Sequence, residues 1–390
     1  MSPKGSLVAI FHLLFYTLFS FELVQSEGQN SNVQQTNFHR QKRLFSLFNV
    51  VQFQNGPCIT ASDIETTGTC LNGQECTSQG GTLDGNCASG FGVCCVFILT
   101  GCNGVVNQNC TMVRNMGFPA ADSNTGRTCS VSLNRLSQDI CQIRLDFQSR
   151  TVLPLGTGEG VCGGTGDSLN VISPHSSSQS AFPPTVCGTL TGQHMYFESG
   201  RSGSTAGQIN IVQGTGANTD RRYNIKVSYI ECDSIVRAPS GCTQYFTDLT
   251  GTITSYNFPG GQILVDQLYT NCIRQNEGFC SVQYAESPIT TPDPFELTAD
   301  MKVRTDCGQV NQISIPSSVL VKQGANADEF RFAPSERCGS VFGALPRTEI
   351  PSTLTSARGL PFVVNVRTRP ASVADNDFSG FSLDYSQIPC

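Results

Sequence analysis

Tryptophan is absent from these 390 residues, histidine occurs four times, and charged residues make up only 14%. A formal balance of −6 at so low a charge density argues against general affinity for nucleic acid or acidic membranes. Cysteine is missing until Cys58, and every one of the 19 cysteines follows from there. Beyond the first 26 residues no segment is apolar enough to cross a bilayer, and no long stretch repeats with the 3.6-residue period of a helix. What is present is 19 Cys and 38 Gly in a chain long enough for two or three domains. That composition reads as a disulfide-dense, loop-rich protein.

The first residues say where such cysteines can oxidise. Residues 1–26 carry Lys4, the apolar run "LVAIFHLLFYTLFSFELV" and a small residue at Ser26, the layout of a secretory signal peptide. The clean apolar stretch Leu7–Phe21 is about 15 residues, short of the roughly 20 a spanning helix needs. Cleavage near Ser26 and secretion to the extracellular space are therefore expected, with disulfides formed on the way. Residues 27–43 read as a disordered propeptide ending in "RQKR". Arg40, Lys42 and Arg43 resemble the site of furin-type convertases, whose acidic pockets read spaced cations. Removing residues 1–43 leaves 20 basic and 28 acidic residues, a balance of −8. Residues 44–57 form a linker.

Residues 58–96 hold Cys58, Cys70, Cys76, Cys87, Cys94 and Cys95 among Gly and polar residues. So short a unit has too little apolar material for a core, so bridges must hold it. Zinc would need paired C-x-x-C ligands, which are missing. Six cysteines ending in an adjacent pair after a G-x-C entry resemble the clip domains of arthropod secreted proteins. That resemblance implies Cys58–Cys94, Cys70–Cys87 and Cys76–Cys95, although six cysteines alone allow fifteen pairings.

The remainder repeats. "GCNGVVNQNCTMVRNMGFP" from Gly101 and "GCTQYFTDLTGTITSYNFP" from Gly241 place Cys and Phe-Pro 17 residues apart in both copies. Cys129 answers to Cys272, "DICQIRLDF" to "GFCSVQY", Cys162 and Cys187 to Cys307 and Cys338, and Cys232 to Cys390. Two tandem domains follow, at 97–233 and 241–390, joined by a linker at 234–240. Within them the strands alternate. Cys141, Ile143, Leu145 and Phe147 point one way, and Gln142, Arg144 and Asp146 the other. Tyr223, Ile225, Val227 and Tyr229 alternate likewise, as do Phe381, Leu383 and Tyr385. The fold class expected is all-β: two tandem antiparallel β-sandwiches preceded by a small disulfide knot.

The frame Cys102, "NMGFP", Cys129, "CQIRLDF", Cys162 with "DSLNV", Cys187-Gly188 and "YNIKVSYIEC" resembles a CUB domain. The second copy shares it and adds "DNDFSGFSLDY", similar to the family's closing motif, while Asn311 stands where the first copy has Asp167. The whole of residues 44–390 is similar to a group of secreted arthropod CUB proteins, more specifically in the first copy than in the second. Repeat and strand logic then pair Cys102–Cys129, Cys162–Cys187, Cys141–Cys232, Cys242–Cys272, Cys307–Cys338 and Cys280–Cys390. Cys110 is left over, its counterpart being Thr250. Three readings stay open for it: a buried core thiol, a bridge to a second chain in a disulfide-linked dimer, or a sign of a different pairing.

Catalytic motifs are few. "GDSL" at 166–169 matches an esterase signature, but it sits mid-domain and no histidine follows His194. No trypsin-like His/Asp/Ser set is present, and an enzyme is not expected. No cofactor is expected either. Calcium is the one metal the resemblance raises, since many CUB domains bind it through loop acids. Glu159, Asp167 and Asp220 stand near those places in the first copy, and Asp377 in the second. Asn109-Cys110-Thr111 is the only N-glycosylation sequon.

The resemblance implies a secreted, non-catalytic binding protein that contacts extracellular proteins or glycans. A structural component of matrix or cuticle is the alternative, as is a convertase-processed ligand or regulator of a protease cascade. The processing step is directly testable. N-terminal sequencing of secreted protein should read from Leu44, and Arg40→Ala with Arg43→Ala should retain the longer form. A start at Glu27 in the unmodified protein would refute it.

Overall fold

The computed structural model describes Phe53 and residues 55–62, 66–158, 160–174, 183–199, 203–216, 220–316, 318–321, 330–332, 334–370 and 378–390. The signal peptide, the propeptide with Arg40, Lys42 and Arg43, and Glu159, His175 and Asp377 lie outside the described residues. Residues 51–390 form one compact unit.

The knot is a four-stranded sheet, ordered Pro57–Ile59, Thr67–Leu71, Gly92–Val96, Thr82–Cys87, with one short helix, Gly73–Ser78. Asn72 caps that helix by accepting from the Glu75 N–H at 2.7 Å. Its interior is little more than Leu71, Cys76, Cys95 and Phe97. Bridges Cys58–Cys94, Cys70–Cys87 and Cys76–Cys95 supply what that core lacks. Gly81 is required where it stands, since a Cβ there would lie 2.2 Å from the Cys95 sulfur.

Two β-sandwiches follow. In the first, one sheet runs Ser168–Ile172, Thr205–Val212, Thr128–Asn134, Val105–Val106. The facing sheet runs His194–Glu198, Ile140–Phe147, Asn224–Glu231, Thr111–Arg114, Ile98–Thr100. In the second, one sheet runs Gln244–Phe246, Leu268–Ile273, Val363–Arg367, Gln312–Ser314, Glu336–Arg337. Its partner is built on Thr250–Thr254, Gly380–Pro389, Phe279–Glu286 and Leu354–Ser356, extended by Ser318–Val321 and Phe330–Phe332.

The two connectivities share a common frame, to which each adds strands of its own, Ile98–Thr100 in the first and Glu336–Arg337, Ser318–Val321 and Phe330–Phe332 in the second. Asn224–Glu231 lies between Thr111–Arg114 and Ile140–Phe147, just as Gly380–Pro389 lies between Thr250–Thr254 and Phe279–Glu286. Each copy also departs from the purely antiparallel expectation in the same way. Val105–Val106 and Gln244–Phe246 pair in parallel with Thr128–Asn134 and Leu268–Ile273. These short edge segments run beside the strand that their Cys102 and Cys242 bridges join.

Alternation decides the cores. Val131, Leu133, Ile143, Leu145, Ile209, Ile211, Ile225 and Val227 are fully buried between the first pair of sheets. Ile253, Val282, Val364, Leu383 and Ile313 do the same in the second. Bridges Cys141–Cys232 and Cys280–Cys390 tie the last strand of each sandwich to the strand beside it. Cys102–Cys129, Cys162–Cys187, Cys242–Cys272 and Cys307–Cys338 close spans of 27, 25, 30 and 31 residues. Each contributes roughly 3–4 kcal/mol by loop entropy.

The contrast between knot and sandwiches has a measurable result. Under graded reductant, amide protection should disappear from residues 58–95 before it falls in the sandwiches, which keep apolar cores without their bridges. Simultaneous loss in both regions would contradict this.

Candidate functional site

The acids singled out for calcium sit in different surroundings. Asp167 is fully buried, and both its oxygens meet Arg221: Oδ2 to Nε at 2.5 Å, Oδ1 to Nη2 at 2.6 Å. Oδ1 also accepts the Gly214 N–H at 2.9 Å. Arg221 donates onward to the carbonyls of Asp122 and Asn124. The guanidinium thus already supplies the positive charge a metal would bring, and a dication beside it would be repelled. Asp167 therefore does not fit a calcium site. Asp220 is largely exposed and pairs with Arg222 at 3.3 Å, and Glu159 lies outside the described residues. Among the described residues no three His, Cys, Asp or Glu come together as metal ligands.

The second copy shows what Asp167 does instead. Asn311 Oδ1 accepts the Arg369 N–H at 3.0 Å, in the place where Asp167 accepts from Gly214. Both side chains pin a loop to the sheet, and only the first carries a charge that needs neutralising. Ser168 of the "GDSL" motif is buried beside this ion pair, at the start of the strand Ser168–Ile172.

A second constellation joins the two sandwiches. The strand His194–Glu198 is the outer edge of its sheet, and the second sandwich closes that edge. Tyr196 N–H donates to the Thr243 carbonyl at 2.7 Å, and Tyr256 Oη donates to the His194 carbonyl at 2.8 Å. Tyr245 N–H donates to His194 Nε2 at 2.9 Å, which places the imidazole proton on Nδ1. Gln193 donates to Thr254 Oγ1 and the Ser255 carbonyl, and Asn257 Oδ1 accepts from Thr189 N–H. Gly160 permits a close approach: a Cβ there would stand 2.1 Å from the Ile263 carbonyl oxygen, which no side chain can do.

The face expected to meet solvent contributes to this seam. Gln142 is buried and exchanges hydrogen bonds with Ala238 of the connecting segment, at 2.9 and 3.1 Å. Arg144 donates to Tyr196 Oη at 2.8 Å and pairs with Asp146 at 2.6 Å. A cleft of about 270 Å³ opens along the seam, with Gln142, Tyr196, Glu198, Thr243 and Leu268 among its walls.

Residues 239–388 match the model of the animal CUB domain. That stretch, 150 of the 390 residues, is similar to a CUB domain. The match covers the second sandwich, whereas the motif reading is more specific in the first. Two solved structures align over most of the chain. The CUB1-EGF-CUB2 domains of rat MASP-1 share 13% identity, cover 74% of this chain and 100% of their own, and give a TM-score of 0.24. The CUB1-EGF-CUB2 domain of human MASP-1/3 shares 14%, covers 72% and 100%, and gives 0.23. With TM-scores this low, neither alignment bears on the arrangement here. No curated protein matches. The CUB match and the nine disulfides among the described residues fit an extracellular protein-interaction module, and among the described residues no helix is long and apolar enough to cross a membrane.

The second sandwich presents two neighbouring loops that no motif announced. Arg347 N–H donates to the Val303 carbonyl at 2.8 Å, and Val303 N–H to the Thr348 carbonyl at 2.9 Å, so residues 298–306 and 344–352 lie side by side. Met301, Leu345 and Ile350 there are 75%, 52% and 77% exposed. Lys302, Arg304 and Arg347 stand among them. The signal in the sequence is weak, because exposed apolar residues in a loop carry no period.

His194 yields a test of the seam. Its pKa is pushed down to about 4, first by burial and then by the Arg144 cation. The unfolded imidazole, ordinarily near 6.5, therefore takes up a proton that the folded one refuses. Stability is full above about pH 6.5 and falls as pH drops toward 4, by up to about 3 kcal/mol. Urea midpoints at pH 7 and pH 4.5 should differ accordingly. His194→Phe should remove most of that difference and cost about 1–3 kcal/mol at pH 7, because Tyr245 N–H loses its acceptor. An unchanged pH profile in the variant would place the effect elsewhere.

Proposed function

We propose that this protein is a secreted, non-catalytic binding protein that contacts extracellular protein or glycan partners through the loops of CUB domains. The observation that carries this reading is the adjoining loop pair 298–306 and 344–352, whose Met301, Leu345 and Ile350 stay exposed on a disulfide-braced sandwich, among charges that pair Lys302 with Glu349 and Arg304 with Asp300 and Asp306. Interfaces draw their binding energy from such apolar anchors.

The strand frame shared by the two sandwiches supports a tandem arrangement, with the knot at 58–96, one CUB domain at 97–233, a linker at 234–240 and a second at 241–390. Arrival outside the cell depends on the leader at 1–26, and the mature start on cleavage after Arg43. Cys110 is the one free cysteine among the described residues and is partly exposed. It supports a disulfide-linked dimer. Its thiolate would attack glutathione disulfide, releasing one glutathione, and a second chain's thiolate would displace the other.

Capture from extracellular fluid tests the binding reading. Replacing Met301, Leu345 and Ile350 by Ala should abolish recovery of partners that the unmodified protein retains, with folding unchanged. Equal recovery would move the site off these loops. Non-reducing gels of protein freed of N-glycan should show a dimer that Cys110→Ser lacks; a monomer in both would refute the bridge.

A further inference from the structure

Asn109 belongs to the sequon Asn109-Cys110-Thr111, and its surroundings are more specific than the motif. Its Oδ1 accepts two backbone N–H groups at 2.8 Å, from Cys110 and from Tyr229 of the strand Asn224–Glu231. Those bonds hold the plane of the amide, and they use the oxygen, which glycosylation leaves intact. The residue itself is exposed, and its side chain is one wall of a cleft of about 410 Å³. Leu136, Ile140, Tyr229 and Val236 form the apolar walls of that cleft, with Ser137, Ser234 and Glu231 supplying polar groups. The Cys110 sulfur lies 3.8 Å from the same Oδ1.

We propose that the N-glycan carried by Asn109 seats its first sugars in this cleft and screens the Cys110 thiol. This rests on the reading of the chain as secreted with an occupied sequon. Attachment forms a bond from Asn109 Nδ2 to C1 of an oligosaccharide carried on a lipid pyrophosphate. The C1–pyrophosphate bond breaks as it forms, and the amide loses one proton. The C–H faces of N-acetylglucosamine then cover Leu136 and Val236, and its hydroxyls meet the serines and Glu231. Glycan and intermolecular bridge thereby exclude one another: the glycosylated chain stays a monomer, and the chain without sugar exposes a thiol able to pair.

Protein secreted from a eukaryotic cell line is assayed by peptide mass spectrometry for occupancy and by the rate at which iodoacetamide labels Cys110 in the native fold. Occupancy at Asn109 is expected, with labelling about tenfold slower than after enzymatic removal of the glycan, because access limits thiol reaction. Thr111→Ala destroys the sequon while keeping Asn109 and should label at the fast rate. Thr111→Ser keeps sequon and hydroxyl and should label slowly. Should the alanine variant misfold, the deglycosylated protein supplies the same comparison. An occupied Asn109 with equal labelling before and after deglycosylation overturns the seating alone. An unoccupied Asn109 overturns the sequon reading and the seating with it.

Discussion

A sheet edge is a row of unpaired backbone groups, and the strand His194–Glu198 would leave such a row open on the first sandwich. The relation between the two sandwiches depends on how that edge is closed. Extending the sheet would fuse the two domains into one. The second sandwich instead meets the edge with single backbone groups and with side chains: the Tyr245 N–H enters an imidazole nitrogen, and a tyrosine hydroxyl reaches a carbonyl. Gln193 and Asn257 complete the polar pairing. Each sandwich keeps its own sheets and core, and the seam is specific because every bond in it needs one geometry.

The same economy appears at the loop ends. Asp167 and Asn311 do one job, holding a backbone N–H just past the end of the strands Thr205–Val212 and Val363–Arg367, with different charges. A carboxylate fully removed from water needs a counter-charge, and Arg221 provides it with paired donors. An amide needs none. The position therefore tolerates either residue provided the cation appears or disappears with the acid.

Legibility followed the physics of local pattern. Period-two alternation in "CQIRLDF" and "NIKVSYIE" was enough to find strands and their buried faces, because a pleated chain must alternate. Spacing between cysteines located the repeat, and the two halves of the structure share its connectivity. The polar face of the same strands could not be read. Gln142, Arg144 and Asp146 have the residue types of a wetted surface, and Gln142 is nonetheless buried, bonded to Ala238 of the connecting segment. The acids near Cys162 misled for a similar reason. Their chemistry suits a cation, but nothing local shows that the cation is Arg221, 54 residues along the chain. The loops bearing Met301 and Ile350 meet only through backbone bonds that no motif encodes.

Every one of the nine bridges stays inside the knot or inside one sandwich. A ribosome delivering the chain from its N-terminus can therefore finish oxidising one unit before the next emerges. The longest waits fall on Cys141 and Cys280, whose partners follow 91 and 110 residues later. At about 5–20 residues per second those delays run from several seconds to around twenty. Cys110 complicates this orderly schedule. It emerges between Cys102 and Cys129, so Cys102 meets a wrong thiol before the right one, and the short loop between them closes readily. Cys141 and Cys280 also pass other thiols before their own, but Cys162 and Cys307 have partners to draw them away. Cys110 has none among the described residues and releases a mispaired Cys102 only by thiol exchange, a burden the second copy lacks at this position, where it has Thr250.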